Sequence, residues 1–339
     1  MLTARLLITA ASASLVVAPC AMAVALETAN DSFQQSGTVT ALATSLMLQP
    51  APASAAAPSA RATAEAPRSP LAVTTAAFGQ VAARSDEKDG NGSVGISEVG
   101  GEIRLGYRLS DTVTLTLNTE ATHYYFSFGS SPVFGTSRSR PFNDLNEFGI
   151  DPGVVVKFDD KWTGIFAGRF RWGGEPQNAF SSGFEGGGVA IATYKFSPTF
   201  TAGFGIGATS RINDSVLIIP FASFDWRVSD TVTVRSRRLG AEVVATLSES
   251  LTLSIGGEYD RRAFKLDDGS PFRDGAVRDR EVSLDVTLAW KPMPNLTASV
   301  VGGASVYRSI RLDNASGDEI GTFDADPMPY IGARVEFKF

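Results

Sequence analysis

Histidine and cysteine occur once each in this 339-residue chain, tryptophan four times, and charged residues make up only 19%. One cysteine excludes a disulfide framework, and one histidine with one cysteine excludes every metal site built from those ligands. A net charge of −6 argues against binding along a phosphate backbone, so no nucleic-acid partner is expected. The charged fraction lies below the roughly 25% of an ordinary soluble domain. Past the N-terminus no run reaches the ~18 consecutive apolar residues of a membrane helix. That test is blind to membrane barrels, whose alternating strands look merely amphipathic.

What is present begins with an address. Arg5 precedes an apolar stretch from Leu6 to Ala18, and small residues follow at Ala21-Met22-Ala23 and Ala23-Val24-Ala25. Charged end, apolar middle and small-x-small site are the order of a secretory signal peptide over 1–25. Pro19 beside Cys20 suits a lipoprotein cysteine poorly, so Cys20 is expected to leave unmodified with the signal. Residues 26–70 are rich in Ala, Pro, Ser and Thr, as in Pro50-Ala51-Pro52-Ala53. Repeated proline breaks helix and strand, and small side chains bury too little to order a chain, so this stretch reads as a disordered periplasmic leader.

From residue 71 to 339 the period is two. Val282, Leu284, Val286, Leu288 and Trp290 alternate with Glu281, Ser283, Asp285, Thr287 and Ala289. Trp162, Phe166, Phe170 and Trp172 share a face opposite Thr163, Arg169 and Arg171. Such spacing puts each set on one side of a sheet, whereas helical spacing would scatter it. Short turns at Ser110-Asp111, Asp159-Asp160-Lys161, Ser197-Pro198-Thr199 and Ser229-Asp230 alternate with long polar stretches at 129–146, 173–182, 265–280 and 308–326. Short turns on one side and long loops on the other are the asymmetry of outer-membrane barrels. The pattern predicts an all-β transmembrane antiparallel barrel of about fourteen strands, or twelve if the weak first strand and the pair meeting at Arg238–Gly240 both fail. Both termini then fall on the periplasmic side.

The last strand, 330–339, carries Ile331, Ala333, Val335, Phe337 and Phe339 on one face and Arg334, Glu336 and Lys338 on the other. Phe337 and Phe339 resemble the terminal aromatic signature that bacterial barrels present to the barrel assembly machinery. Together with Glu147-Phe148-Gly149-Ile150-Asp151-Pro152-Gly153, Ile219-Pro220 and the Leu266-Asp267-Asp268 loop, the region from 71 resembles an uncharacterised family of bacterial outer-membrane β-barrel proteins. The resemblance implies the fold and the outer membrane of a Gram-negative-type cell. It implies no activity and no site residue.

In such a barrel the apolar face meets lipid and lipopolysaccharide, and the mixed face lines a lumen. Lumen-facing charges are expected at Arg104, Arg108, Asp151, Lys157, Arg169, Arg171, Asp225, Arg227, Glu242, Glu258, Asp260 and Asp285, as solvated or mutually paired wall residues. Arg169 and Arg171 beside Arg235, Arg237 and Arg238 are the candidates for an anion-selective constriction. Trp162, Trp172, Trp226, Trp290, Tyr124, Tyr125 and Tyr194 sit near strand ends, as interfacial girdles would. Pro220 removes a ladder hydrogen bond, so a bulge is expected there.

Catalytic chemistry finds little support. The single His123 stands in His123-Tyr124-Tyr125-Phe126, without a serine two residues on, and shares its outward parity with Leu115 and Leu117. The acidic stretches 86–91 and 313–326 lack the spacing of a calcium loop with its terminal Glu. No enzyme, cofactor or metal is therefore expected. The reading is a channel or transport barrel for small solutes. Its alternatives are a barrel plugged by its own loops, and more distantly an outer-membrane enzyme.

Overall fold

The computed structural model describes residues 69–339 except 89, 91, 130–133, 135–139 and 177–181, so the signal peptide and nearly all of the leader lie outside the described residues. The described chain contains strands and no helix: β1 (Leu71–Ala82), β2 (Ser85–Asp86), β3 (Ser93–Arg108), β4 (Val113–Phe128), β5 (Leu145–Lys157), β6 (Trp162–Gly174), β7 (Phe184–Ser197), β8 (Phe200–Arg211), β9 (Asp214–Arg227), β10 (Val232–Arg237), β11 (Gly240–Thr246), β12 (Leu251–Lys265), β13 (Ala276–Met293), β14 (Leu296–Asp313), β15 (Glu319–Ala325) and β16 (Met328–Lys338). Fourteen of them form one closed antiparallel ring, β1 closing it against β3 and β16 at Thr74↔Arg104 and Thr74↔Lys338. The other two, β2 and β15, continue β1 and β16 above a break, at Ser85↔Val94 and Ala325↔Arg308. The first strand and the β10–β11 pair both exist, so the twelve-strand alternative falls.

Alternation decides which face is which. On β13, Val286 is 45% exposed while its neighbour Asp285 is 3% exposed. A soluble barrel would reverse that order, so the apolar set faces lipid. Outward aromatics gather at two levels. The Trp162 ring meets Tyr194 at 4.8 Å near the short turns, and Trp172 meets Phe184 at 5.1 Å near the other end. Trp162 and Trp172 lie on one strand, and at about 3.3 Å per residue with a tilt near 40° their levels stand ~25 Å apart, the height of the apolar band. Tyr124 departs from this expectation. It has the opposite parity to Tyr125 and turns inward, 4% exposed, with its ring 5.3 Å from Phe264.

The short turns are held by side chains. Ser110, Ser197 and Ser229 each accept the N–H two residues on, at 3.2–3.3 Å. Asp159 accepts the N–H groups of Lys161 and Trp162, both at 2.7 Å, which holds its carboxyl below the usual range.

The other end is built differently from the expected loops. Much of 308–326 and both ends of 265–280 are strand, because above the lipid band the wall continues with both faces against protein or water, and alternation no longer writes apolar residues there. Lys265 of β12 pairs in parallel with Gly174 of β6, and the Glu175 N–H donates to the Lys265 carbonyl at 3.2 Å. Glu87 bridges to Ala325. Strands β2–β6 and β12–β15 thereby close a narrower upper ring. Its interior is a dry core that includes Val94, Phe126, Leu145, Phe264, Val277, Ile310, Leu312 and Phe323. The lumen is capped.

Because β12 swings inward to β6, the hairpin of β8 and β9 lies over the outer side of β12 and β13. At its turn the Arg278 Nη2 donates to the Ile212 carbonyl at 3.0 Å, and the Lys265 Nζ to Asn213 Oδ1 at 3.2 Å. One edge of β9 is mostly open, since β10 pairs with it only at Thr233↔Arg227, Val234↔Trp226 and Arg235↔Asp225. The expected bulge at Pro220 is absent, the β8–β9 register running unbroken through Ile206↔Pro220. The Phe224 N–H points toward β10, donating to Ser236 Oγ, so strand alternation aims the Pro220 nitrogen the same way, at the open edge. No ladder bond is lost there.

Candidate translocation lumen

Fourteen strands enclose more space than wall side chains fill. Beneath the cap lies a cavity of about 900 Å³, with Tyr124 and Arg262 in its upper wall and Lys157 and Asp225 in its lower wall. Its sides differ in character. Partway along β6, β7 and β9 the inward positions form an apolar patch, with Ile165, Ala167, Val189, Ile191, Leu217 and Ile219 packed together. Between them on β8, Gly205 leaves room for Phe221, whose ring would lie 2.5 Å from a Cβ.

The remaining wall carries charge in pairs. Arg104 contacts Glu102 at 3.0 Å and also Glu336, while Arg334 returns to Glu102. Asp151, 1% exposed, receives both Nη atoms of Arg171 at 2.8 and 2.9 Å. Arg235 reaches Glu242 at 2.6 Å. Arg237 reaches Asp285 at 2.8 Å and Glu258 at 3.0 Å, and Arg238 meets Glu258 at 3.1 Å. Arg262 holds Asp260 at 2.8 Å and lies 5.1 Å from the Tyr124 ring centre. Arg108 and Arg227 stand exposed at the periplasmic mouth, while Lys157, Arg169 and Asp225 line the cavity. Arg171, Arg235, Arg237 and Arg238 thus form ion pairs with facing carboxylates. The expected arginine ladder is a series of neutralised pairs: Glu242 is the register partner of Arg235 on the next strand, and Arg171, Arg237 and Arg238 reach acids at other levels.

Three buried charges lie outside the expected lumen set: Glu185 and Arg211, which alternation places inward, and Arg261. Arg261 has the parity of an outward side chain, and only the inward swing of β12 buries it. His123 lies outside the main lumen. Its Nδ1 is 2.5 Å from Asn146 Oδ1 and its ring sits edge-on to Tyr125 at 4.3 Å. Among the described residues no group of three or more His, Cys, Asp or Glu side chains could hold a metal ion. The acidic stretch 86–91 lies partly outside the described residues.

Residues 178–336 match the family described as a domain of unknown function (DUF6268). No curated protein matches the chain. An outer-membrane channel from Pseudomonas putida F1 superposes with a TM-score of 0.45 at 9% identity, covering 83% of this chain and 100% of that one. The toluene transporter TodX of P. putida gives 0.42 at 8% identity over 79% and 89%, and the NanC porin 0.35 at 8% over 78% and 100%. The chain is a fourteen-stranded barrel of the outer-membrane type, similar over 178–336 to a family with no assigned function.

Proposed function

We propose that this protein is an outer-membrane channel for small solutes whose extracellular end is gated. The observation that supports this is the cavity of about 900 Å³, lined by many paired charges and by a few apolar residues such as Val155 and Ile165, which a purely structural wall does not require. The cap makes the described state the closed one. Opening needs the upper ring to yield, and its seam between β6 and β12 is one residue pair long.

The cap is also the specific observation favouring a plugged barrel without flux. Recording from purified, folded protein in a planar bilayer separates the two. A channel gives discrete or voltage-dependent conductance. A silent membrane, with correctly folded barrel shown inserted, sinks the channel reading.

A further inference from the structure

Arg104, Arg171, Arg235, Arg237, Arg238 and Arg262 in the lumen each have a carboxylate within 4 Å, and among the described residues Arg261 does not. Above Glu258, β12 leaves the wall. Its even residues Asp260 and Arg262 stay in the lumen, and its odd residue Arg261 comes to lie under the β8–β9 hairpin, 4% exposed. The Arg261 side chain lines the cavity. Among the described residues no carboxylate lies within 4 Å of its guanidinium, and no side-chain hydrogen bond is made by it. Arg211, at the end of β8, is buried beside it. Its Nη2 pairs with Asp214, which Arg278 shares, and its Nε and Nη1 have no hydrogen-bond partner. Arg169 of β6 stands on the cavity side of the same cluster. Glu185 lies within electrostatic reach of Arg169, Arg211 and Arg261, and it also accepts the Ile212 N–H at 3.2 Å.

We propose that Arg261, with the unsatisfied donors of Arg211 beside it, forms a binding site for the carboxylate or phosphate group of a small anionic solute. A buried guanidinium without a counter-charge costs several kcal/mol, and an oxyanion is the ligand that its planar fork of donors fits. The paired arginines elsewhere in the lumen hold the wall together, whereas Arg261 lines the cavity with no carboxylate within 4 Å among the described residues. Val155 and Ile165 line the cavity as well, so an apolar body attached to the anion is accommodated. The inference deepens the channel reading and rests on it for passage of the solute, though not for its binding.

Titration calorimetry on the full-length folded protein in detergent, with inorganic phosphate and with hexanoate as separate probes, tests the site. Saturable binding of at least one probe is expected, weakened at least tenfold in Arg261→Gln and unchanged in Arg108→Gln at the mouth. Phosphate alone would indicate a phosphorylated solute, hexanoate alone an organic acid, and both the shared oxyanion chemistry. Arg261→Lys, which keeps the charge and loses the fork, should bind at an intermediate strength, and it replaces the Gln variant if that one fails to fold. The proposal is overturned if neither probe saturates, or if the folded Arg261 variant binds as the native protein does. Binding without bilayer conductance would sink the channel reading and leave the site. Conductance without binding would do the reverse.

Discussion

Lys265 on β12 pairs in parallel with Gly174 on β6, joining two strands that β7–β11 separate along the wall. This contact narrows the barrel and creates the cap, and it tolerates no side chain next door. A Cβ on Gly173 would stand 2.5 Å from the Ala263 carbonyl oxygen, a backbone atom with no room to yield. Gly173→Val should therefore push β12 from β6 and raise open probability in planar bilayers several-fold. Gly106→Val, which has open space around its Cβ, should behave as the native protein. Equal conductance from both folded variants would move the gate elsewhere.

The Arg171–Asp151 pair predicts a different quantity. Asp151 is buried, and besides Arg171 it accepts a hydrogen bond from the Asn118 amide at 3.4 Å. Arg171→Met leaves a buried carboxylate without its counter-charge, which should destabilise the barrel by about 3–5 kcal/mol. Adding Asp151→Asn should recover most of that, since an amide carries no charge to compensate. Urea titration of the folded protein in detergent reads both. A single variant as stable as the double would mean that solvent already reaches the pair.

Much of this architecture is legible from alternation. Val286 against Asp285 gives the lipid and lumen faces, and the turns at Ser110, Ser197 and Ser229 mark where strands reverse. The very short connection at Arg238-Leu239 separates β10 from β11, with Arg238 taking φ of +46°. Alternation fails where the wall becomes double. It tells which residues share a face of β12, but not that β8 and β9 cover that face, so Arg261 reads as outward while it is buried. The same blindness hides Tyr124, whose inward side meets a core made by strands distant in sequence. The polar composition of 308–326 reads as a loop, because above the lipid band a strand no longer needs an apolar face.

Pro220 tests the open edge of β9. Its nitrogen points where no strand pairs, so Pro220→Ala should alter stability by no more than about 0.5 kcal/mol, as ordinary exposed substitutions do. Val189→Pro, in the doubly paired β7 at Ala167↔Val189↔Gly207, should instead cost about 3 kcal/mol or prevent folding. Heat-modifiable mobility and urea midpoints measure both. A large loss from Pro220→Ala would show that the ring of proline, not the missing N–H, holds that edge in place.

The C-terminus separates assembly from stability. The Phe339 N–H donates to the Val73 carbonyl at 2.9 Å, so the main chain alone pins the end of the ring. The Phe339 side chain points outward, 74% exposed, its ring edge-on to Phe337 at 4.7 Å. Little of the protein touches it, so its removal should cost the inserted barrel only about 1–2 kcal/mol of lipid contact. If the aromatic end is what the assembly machinery reads, Phe339→Asp should lower the amount of inserted barrel several-fold while the urea midpoint of what does insert moves little. Lys338, on the lumen side beside Glu336 at 3.5 Å, gives the contrasting case. Lys338→Gln removes an exposed ion pair worth well under about 1 kcal/mol and should leave both yield and midpoint as they are. Comparable losses of inserted barrel from the two variants would mean that the last strand acts through its pairing with β1 and β14 and not through its terminal ring.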